Sequence, residues 1–291
     1  MYPGRFDFHV PDTVEEAVAL MATYGQEARV LAGGQSLVRQ MRFRYQNPAH
    51  LVDLRRLGLS GIKQSAGTLT IGATTTDAVL EASTVLKAHA PLLADVTHVI
   101  ADPLVRNVGT IGGSAAHAHP SGDWGPALLA ARARFRAVGP EGWRTIPADQ
   151  FFVGSYCTAL GPAEILASIE VSGLADGGGA YLKLHRKVGD FATVGVAAQF
   201  TVDTNGLIGD CGIGLTGVAM SYARAAKAEE YLNGRHLDRD ALRRAGGIAA
   251  EETHPVGDSR GSSVYKREMV KVLCTQALVR AAERAGCPLE G

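Results

Sequence analysis

Two glycine-rich stretches carry the residue types best suited to chemistry. Leu31-Ala-Gly-Gly-Gln-Ser36 follows the apolar run Ala28–Ala32, and Gly109-Thr-Ile-Gly-Gly-Ser114 runs on into Ala115-Ala-His-Ala-His-Pro-Ser-Gly-Asp123. Glycines leave backbone N–H groups unscreened, so such stretches can turn several donors towards one bulky anion, and the N–H groups of Thr110 to Ser114 are candidates for this. Each stretch has a serine shortly after its Gly-Gly pair. Held together in space, the two could grip the two halves of one pyrophosphate.

Other chemistry-bearing residues point less clearly. His117, His119 and Asp123 lie close in sequence, but no Cys or Glu cluster completes a metal set, so loop histidines facing backbone or a ligand are expected instead. Ser36 and Ser114 lack a nucleophile elbow, which leaves a Ser-His-Asp triad unassigned. A literal G-x-G-x-x-G occurs at Gly212–Gly217, with Glu229 and Glu230 downstream. No strand follows its helix, so the β-α-β context of a dinucleotide fingerprint is missing and a glycine-rich strand or turn is expected.

The elements that must position these residues can be read in order. Residues 11–22 predict a helix capped by Asp12 or Thr13, with acids in its first turn. A strand over Arg29–Ala32, the first glycine turn, a helix-like segment from Leu37 and a strand over Leu51–Leu54 form a small β-α-β unit. After a boundary near Arg55–Gly58 come strands near 61–63 and 68–72, helices over Asp77–Leu86 and from Pro91 to about Ile100, and a short helix over Trp124–Ala133. Strand-like runs follow at Arg134–Val138 and Ile165–Val171. Asp176-Gly-Gly-Gly179 reads as a linker. Beyond it, strands over Ala180–Leu184, Ala192–Val202 and Ile208–Thr216 precede helices over Tyr222–Leu232, Arg239–Glu251 and Tyr265–Ala285, the order of a compact α+β domain.

Composition narrows the class. At 291 residues the chain can bury a large core, and its 29 basic and 29 acidic residues cancel, so no surface for nucleic acid or anionic membrane is indicated. Cys157, Cys211, Cys274 and Cys287 are scattered without a C-x-x-C pair, which argues against a zinc site or an iron–sulfur cluster in this chain. No run approaches the length needed to span a bilayer and the N-terminus lacks a signal-peptide core, so a cytoplasmic protein is expected.

The residues together resemble a known family. Ala32-Gly-Gly-Gln-Ser36 and Thr110-Ile-Gly-Gly-Ser114 are similar to the two flavin-binding motifs of the FAD-carrying medium subunits of molybdenum hydroxylases, above all aerobic carbon monoxide dehydrogenases. Phe6–His9, Pro48–Leu54, Ala101–Asn107, Phe151–Tyr156, Lys183–Thr193 and Ser263–Arg267 extend the resemblance along the whole chain. It implies an α+β protein: a two-part FAD-binding region of the vanillyl-alcohol-oxidase-like type, with subdomains at residues 1–55 and 56–176, then a domain of antiparallel sheet plus helices at 180–288. It implies FAD contacts from Ala32, Gly33, Gly34, Gln35, Ser36 and Leu37, from Thr110, Ile111, Gly112, Gly113 and Ser114, and from His117. Ile100 and Leu166 would line the adenine or flavin pocket, Asp123 would hydrogen-bond the cofactor, Lys183 would approach the isoalloxazine, and Phe191 would shield or gate the ring. No residue is assigned to substrate chemistry. The molybdenum cofactor and two [2Fe–2S] clusters would belong to a large molybdenum subunit and a small iron–sulfur subunit, in a dimer of heterotrimers. Gln35 and Ser114 replace the His and Asp usual in carbon monoxide dehydrogenases, which leaves the substrate open. A self-contained FAD oxidoreductase of the same fold, like the enolpyruvyl reductases, and a non-catalytic nucleotide-binding module are the alternatives.

Overall fold

Thr13 starts the first helix as its sequence requires: its hydroxyl accepts the Glu16 N–H at 3.1 Å, and α1 runs over Val14–Tyr24. The computed structural model describes residues 2–174, 177–287 and 289. Around α1 lie β1 (Asp7–His9), β2 (Ala28–Leu31), α2 (Leu37–Arg42) and β3 (His50–Asp53). The three strands form a parallel sheet in the order β1-β3-β2, so the expected β-α-β unit is present. β1 had no sequence signal of its own. Three largely exposed residues are too few to show a period, and the strand exists because Asp7–His9 pair with His50–Val52.

The second region contains β4 (Ile62–Ser65), β5 (Thr68–Gly72), α3 (Asp77–Ala82), α4 (Thr84–His89), α5 (Pro91–Val99), α6 (Pro103–Arg106), α7 (Ile111–His117) and α8 (Trp124–Ala130). It continues through β6 (Arg134–Gly139), β7 (Gly142–Pro147), α9 (Ala148–Phe151), β8 (Phe152–Gly154), β9 (Cys157–Thr158) and β10 (Ile165–Ser172). Five of these strands make an antiparallel sheet in the order β4-β5-β10-β6-β7. The helix expected over Asp77–Leu86 is two helices. Ser83 sits in extended backbone and its hydroxyl accepts the Leu86 N–H at 3.1 Å, so a side-chain cap restarts the chain one turn early. The core here is aromatic, with Phe135 and Phe151 stacked at 3.8 Å beside buried Trp124.

The third region consists of β11 (Gly177–Leu184), β12 (Val194–Val202), β13 (Ile208–Thr216), β14 (Ala223–Arg224), α10 (Ala226–Leu232), α11 (Arg239–Glu251) and α12 (Ser263–Arg284). Its strands form an antiparallel meander in chain order. The helix expected from Tyr222 begins only at Ala226, because Ala223 and Arg224 pair with Leu215 and Gly214. The expected linker is also different: Asp176 lies outside the described residues, and Gly177–Gly179 open β11. A Cβ on Gly178 would lie 1.9 Å from the Ala281 carbonyl oxygen of α12, so this glycine serves helix–sheet packing.

The G-x-G-x-x-G pattern has the same explanation. A Cβ on Gly212 would meet the Ala130 carbonyl oxygen, and one on Gly214 that of Pro126, each at 2.0 Å, so these glycines let α8 lie directly on β13. Among the described residues no helix is long and apolar enough to cross a membrane. Gly214→Ala should lower the unfolding free energy by about 1–3 kcal/mol, because backbone cannot move aside as a side-chain tip can. Urea unfolding checks this. A nucleotide-binding role for the motif would instead leave stability intact and remove a ligand.

Candidate cofactor-binding site

A cavity of about 810 Å³ runs from the first glycine stretch to the start of the third region. Ala32, Gly33, Gly34, Gln35, Ser36 and Leu37 line it, facing Thr110, Gly112, Gly113 and Ser114. Ile100, His117, Asp123, Leu166, Lys183 and Phe191 complete the set that the sequence singled out. Ile111 is the exception. Its side chain is fully buried in the core beneath α7, so it supports the wall without forming its surface.

The two glycine stretches are not equivalent. Among the described residues the N–H groups of Gly33, Gly34, Gln35 and Ser36 have no protein acceptor, and Gly34 holds a φ of +70° that glycine adopts at no steric cost. The second stretch departs from the expected anion cradle. Thr110 caps α7, and the donors from Ile111 onward are engaged: Ile111 to the Thr75 carbonyl at 3.2 Å, Gly112 to Ala73 at 2.9 Å, Gly113 to the Thr110 hydroxyl at 3.1 Å. Ser114 donates to the Thr110 carbonyl at 2.9 Å. A Cβ on Gly112 would lie 2.4 Å from that of Ala73, so this glycine is there for packing. Gly33 plays a similar part, since a Cβ on it would lie 2.1 Å from the Val108 carbonyl oxygen. The two stretches therefore touch, and among the described residues the first presents a row of four open donors where the second leaves open only the Thr110 N–H.

A buried charge network closes the far end. Lys183, from β11, places its Nζ 2.8 Å from Asp123 Oδ2 and 3.0 Å from the Val99 carbonyl oxygen, while the Tyr181 hydroxyl donates to Asp123 Oδ1 at 2.7 Å. Burial pushes the Asp123 carboxyl upward, and Lys183 opposes that shift. Both carboxylate oxygens are occupied by the protein itself. Asp123 thus orients Lys183, whose ammonium keeps one further donor for a ligand.

Phe191 stacks on His119 with ring centroids 3.8 Å apart and planes 1° from parallel. The Ser121 N–H donates to His119 Nδ1 at 3.0 Å, and burial lowers the imidazole pKa to about 4, so the stacked ring is neutral near pH 7. Among the described residues no group of three His, Cys, Asp or Glu side chains could hold a metal ion. Sequence reasoning missed His119 as the support of Phe191, and it missed Tyr156, Gln40, Gln46, Glu164 and Arg39 in the lining. No local signal marks them, because the elements that bring them together are distant in the chain.

Asp77 is buried in the same wall and accepts the Trp124 Nε1–H at 2.9 Å. Burial raises its pKa to about 6. The folded state therefore holds the proton more tightly than the unfolded chain, and stability from this group is lost as pH rises from about 4 to about 6. Asp77→Asn keeps an acceptor for Trp124 and removes the titration. Relative to the unaltered chain it should gain about 2–3 kcal/mol between pH 4 and pH 7, measured by urea unfolding at both values. The opposite slope from His119 is common to both proteins and cancels in the difference.

The chain is similar to known proteins over nearly its whole length. Residues 4–171 match the model of the FAD binding domain in molybdopterin dehydrogenase, and residues 179–281 match the CO dehydrogenase flavoprotein C-terminal domain. The carbon monoxide dehydrogenase medium chain of Hydrogenophaga pseudoflava is 41% identical, over 98% of this chain and 99% of its own. The solved carbon monoxide dehydrogenase of that organism, in a form lacking the Mo-pyranopterin moiety of the molybdenum cofactor, superposes with a TM-score of 0.94 over 98% of this chain and 99% of its own. Quinoline 2-oxidoreductase from Pseudomonas putida 86 is 30% identical with a TM-score of 0.91, covering 98% of this chain and 99% of that one. The chain belongs to the family of FAD-binding medium subunits of molybdenum hydroxylases, and is the FAD-binding subunit of a carbon monoxide dehydrogenase-like oxidoreductase.

Proposed function

We propose that this chain carries FAD in the cavity and passes electrons from iron–sulfur clusters of a partner chain to an external acceptor. The observation that carries the reading is the row of unbonded N–H groups at Gly33–Ser36, set in the same cavity as the buried Lys183. The fit is chemical as well as spatial. The volume, about 810 Å³, suits a large ligand, and the open donors suit a pyrophosphate. FAD, when bound, supplies a centre that exchanges one or two electrons, while the protein supplies binding, orientation and electrostatics.

Each residue then has a physical task. Gly33–Ser36 donate to the pyrophosphate, with Ala32 and Leu37 flanking them. Thr110, Gly112, Gly113 and Ser114 shape the opposite wall, and Ile111 anchors it from below. Ile100 and Leu166 give apolar surface to the adenine or flavin ring. Lys183 directs its remaining N–H at the flavin, held by Asp123, and His117 is a neutral neighbour. Phe191, backed by His119, covers the ring. The boundary at residue 55 divides the cofactor region into its two subdomains, and that at 176–180 divides it from the third region.

The partners are a large molybdenum subunit and a small subunit with two [2Fe–2S] clusters, assembled as a dimer of heterotrimers in the cytoplasm. The substrate is chosen outside this chain. Support comes from the near-equal structural similarity to proteins named for carbon monoxide and for quinoline. The isolated chain should be yellow, and acid precipitation should leave the colour in the supernatant, since among the described residues no Cys lines the cavity for a covalent link. Its reduced flavin should be reoxidised by dye, quinone or oxygen, with substrate oxidation appearing only when the partner subunits are added. Steady-state oxidation of an aldehyde, N-heterocycle, purine or carbon monoxide by the chain alone would establish a self-contained oxidoreductase instead.

A further inference from the structure

The charges of the cavity are poorly matched to an anionic dinucleotide. Five carboxylates line it, from Asp77, Asp102, Asp123, Glu164 and Asp190, against the three cations Arg29, Arg39 and Lys183. Two of those cations are already committed. Lys183 is paired with Asp123, and Arg29 Nη1 donates to the carbonyl oxygens of Gln26 at 2.9 Å and Ala28 at 2.7 Å. Arg39 differs: its guanidinium has no hydrogen bond or ion pair within the described chain, although it lines the cavity.

Its place on the fold gives this free cation a direction. Arg39 lies in the first turn of α2, and side chains on a helix lean towards the N-terminus. That end of α2 joins the loop Gly33–Ser36, whose N–H groups are unbonded. We propose that Arg39 is a direct guanidinium contact to the diphosphate of the bound dinucleotide, and so selects FAD over flavins that lack the diphosphate. This rests on the FAD reading of the cavity. A guanidinium can donate two parallel hydrogen bonds to a phosphate, which an ammonium cannot copy. Glu164 is paired with Arg144, as Asp123 is with Lys183, so neutral loop donors orient a diphosphate and Arg39 supplies the positive charge that Asp77, Asp102 and Asp190, without an ion pair among the described residues, otherwise oppose.

The test is a titration of the flavin-free full-length chain with FAD and, separately, with riboflavin, followed by flavin fluorescence. Arg39→Gln should weaken FAD binding roughly tenfold and leave riboflavin binding unchanged, the loss expected for one charge-assisted contact. Arg39→Lys should recover only part of that loss, and added salt should narrow the gap between the unaltered chain and Arg39→Gln. Because Arg39 is exposed and unpaired among the described residues, the flavin-free variants should melt as the unaltered chain does. Equal weakening of FAD and riboflavin, or no weakening of FAD, overturns the contact while leaving the cavity as the FAD site. Failure of the unaltered chain to bind FAD at all overturns the FAD reading itself.

Discussion

The site depends on one close approach: the backbone of Gly33 lies against the carbonyl of Val108, so near that a Cβ on Gly33 would sit 2.1 Å from its oxygen. The contact joins the parallel sheet, which carries the first glycine stretch after β2, to the region that carries the second. It is reinforced from the other side, where a Cβ on Gly113 would meet Ala32 at 3.6 Å. With the stretches pressed together, each must satisfy its own backbone polar groups or leave them to a ligand. The second satisfies its donors from Ile111 onward by starting α7 and bonding to residues 73–75. The first does not, and that asymmetry makes a binding loop.

The third region is tied to the same place by charge. Lys183 and Tyr181, neighbours on β11, converge on the buried carboxylate of Asp123. Nearby, the Tyr181 N–H and Arg284 both bond Asp95 of α5, with Arg284 Nη1 2.7 Å from Oδ2. A buried pair such as Lys183–Asp123 adds little net stability relative to apolar packing, but removing one partner strands a charge and costs about 3–5 kcal/mol. The effect of these contacts is positional. They fix where β11, and hence Lys183, stands relative to the glycine stretches.

Glycine carries three separate meanings here. At Gly34 it permits a left-handed φ in a binding loop. At Gly33 and Gly112 it permits two backbones to touch across the site. At Gly178, Gly212 and Gly214 it lets α12 and α8 lie on opposite faces of the third sheet. Glycine is the same letter in all three roles, which is why the G-x-G-x-x-G pattern resembled a fingerprint and proved to be a packing surface.

What the sequence determined by itself were features decided within a few residues. The cap at Thr13, the helices over Arg239–Glu251 and from Tyr265 onward, the strand over Ile208–Thr216 and the β-α-β unit around Gly33-Gly34 follow from periodicity and, at Thr13, from a hydroxyl three residues before the N–H it accepts. The residue resemblance added the cofactor and part of the cavity lining. Only the tertiary structure decided that Ser83 divides a helix, that Asp7–His9 form a strand, that Ile111 is buried, and that Gly33–Ser36 present unbonded donors where residues 111–114 do not. The reason is common to these cases. A cap or a period is set by neighbours along the chain, whereas a free N–H, an unpaired Arg39 or a stacked His119 is defined by what distant segments bring, or fail to bring, within about 3–4 Å.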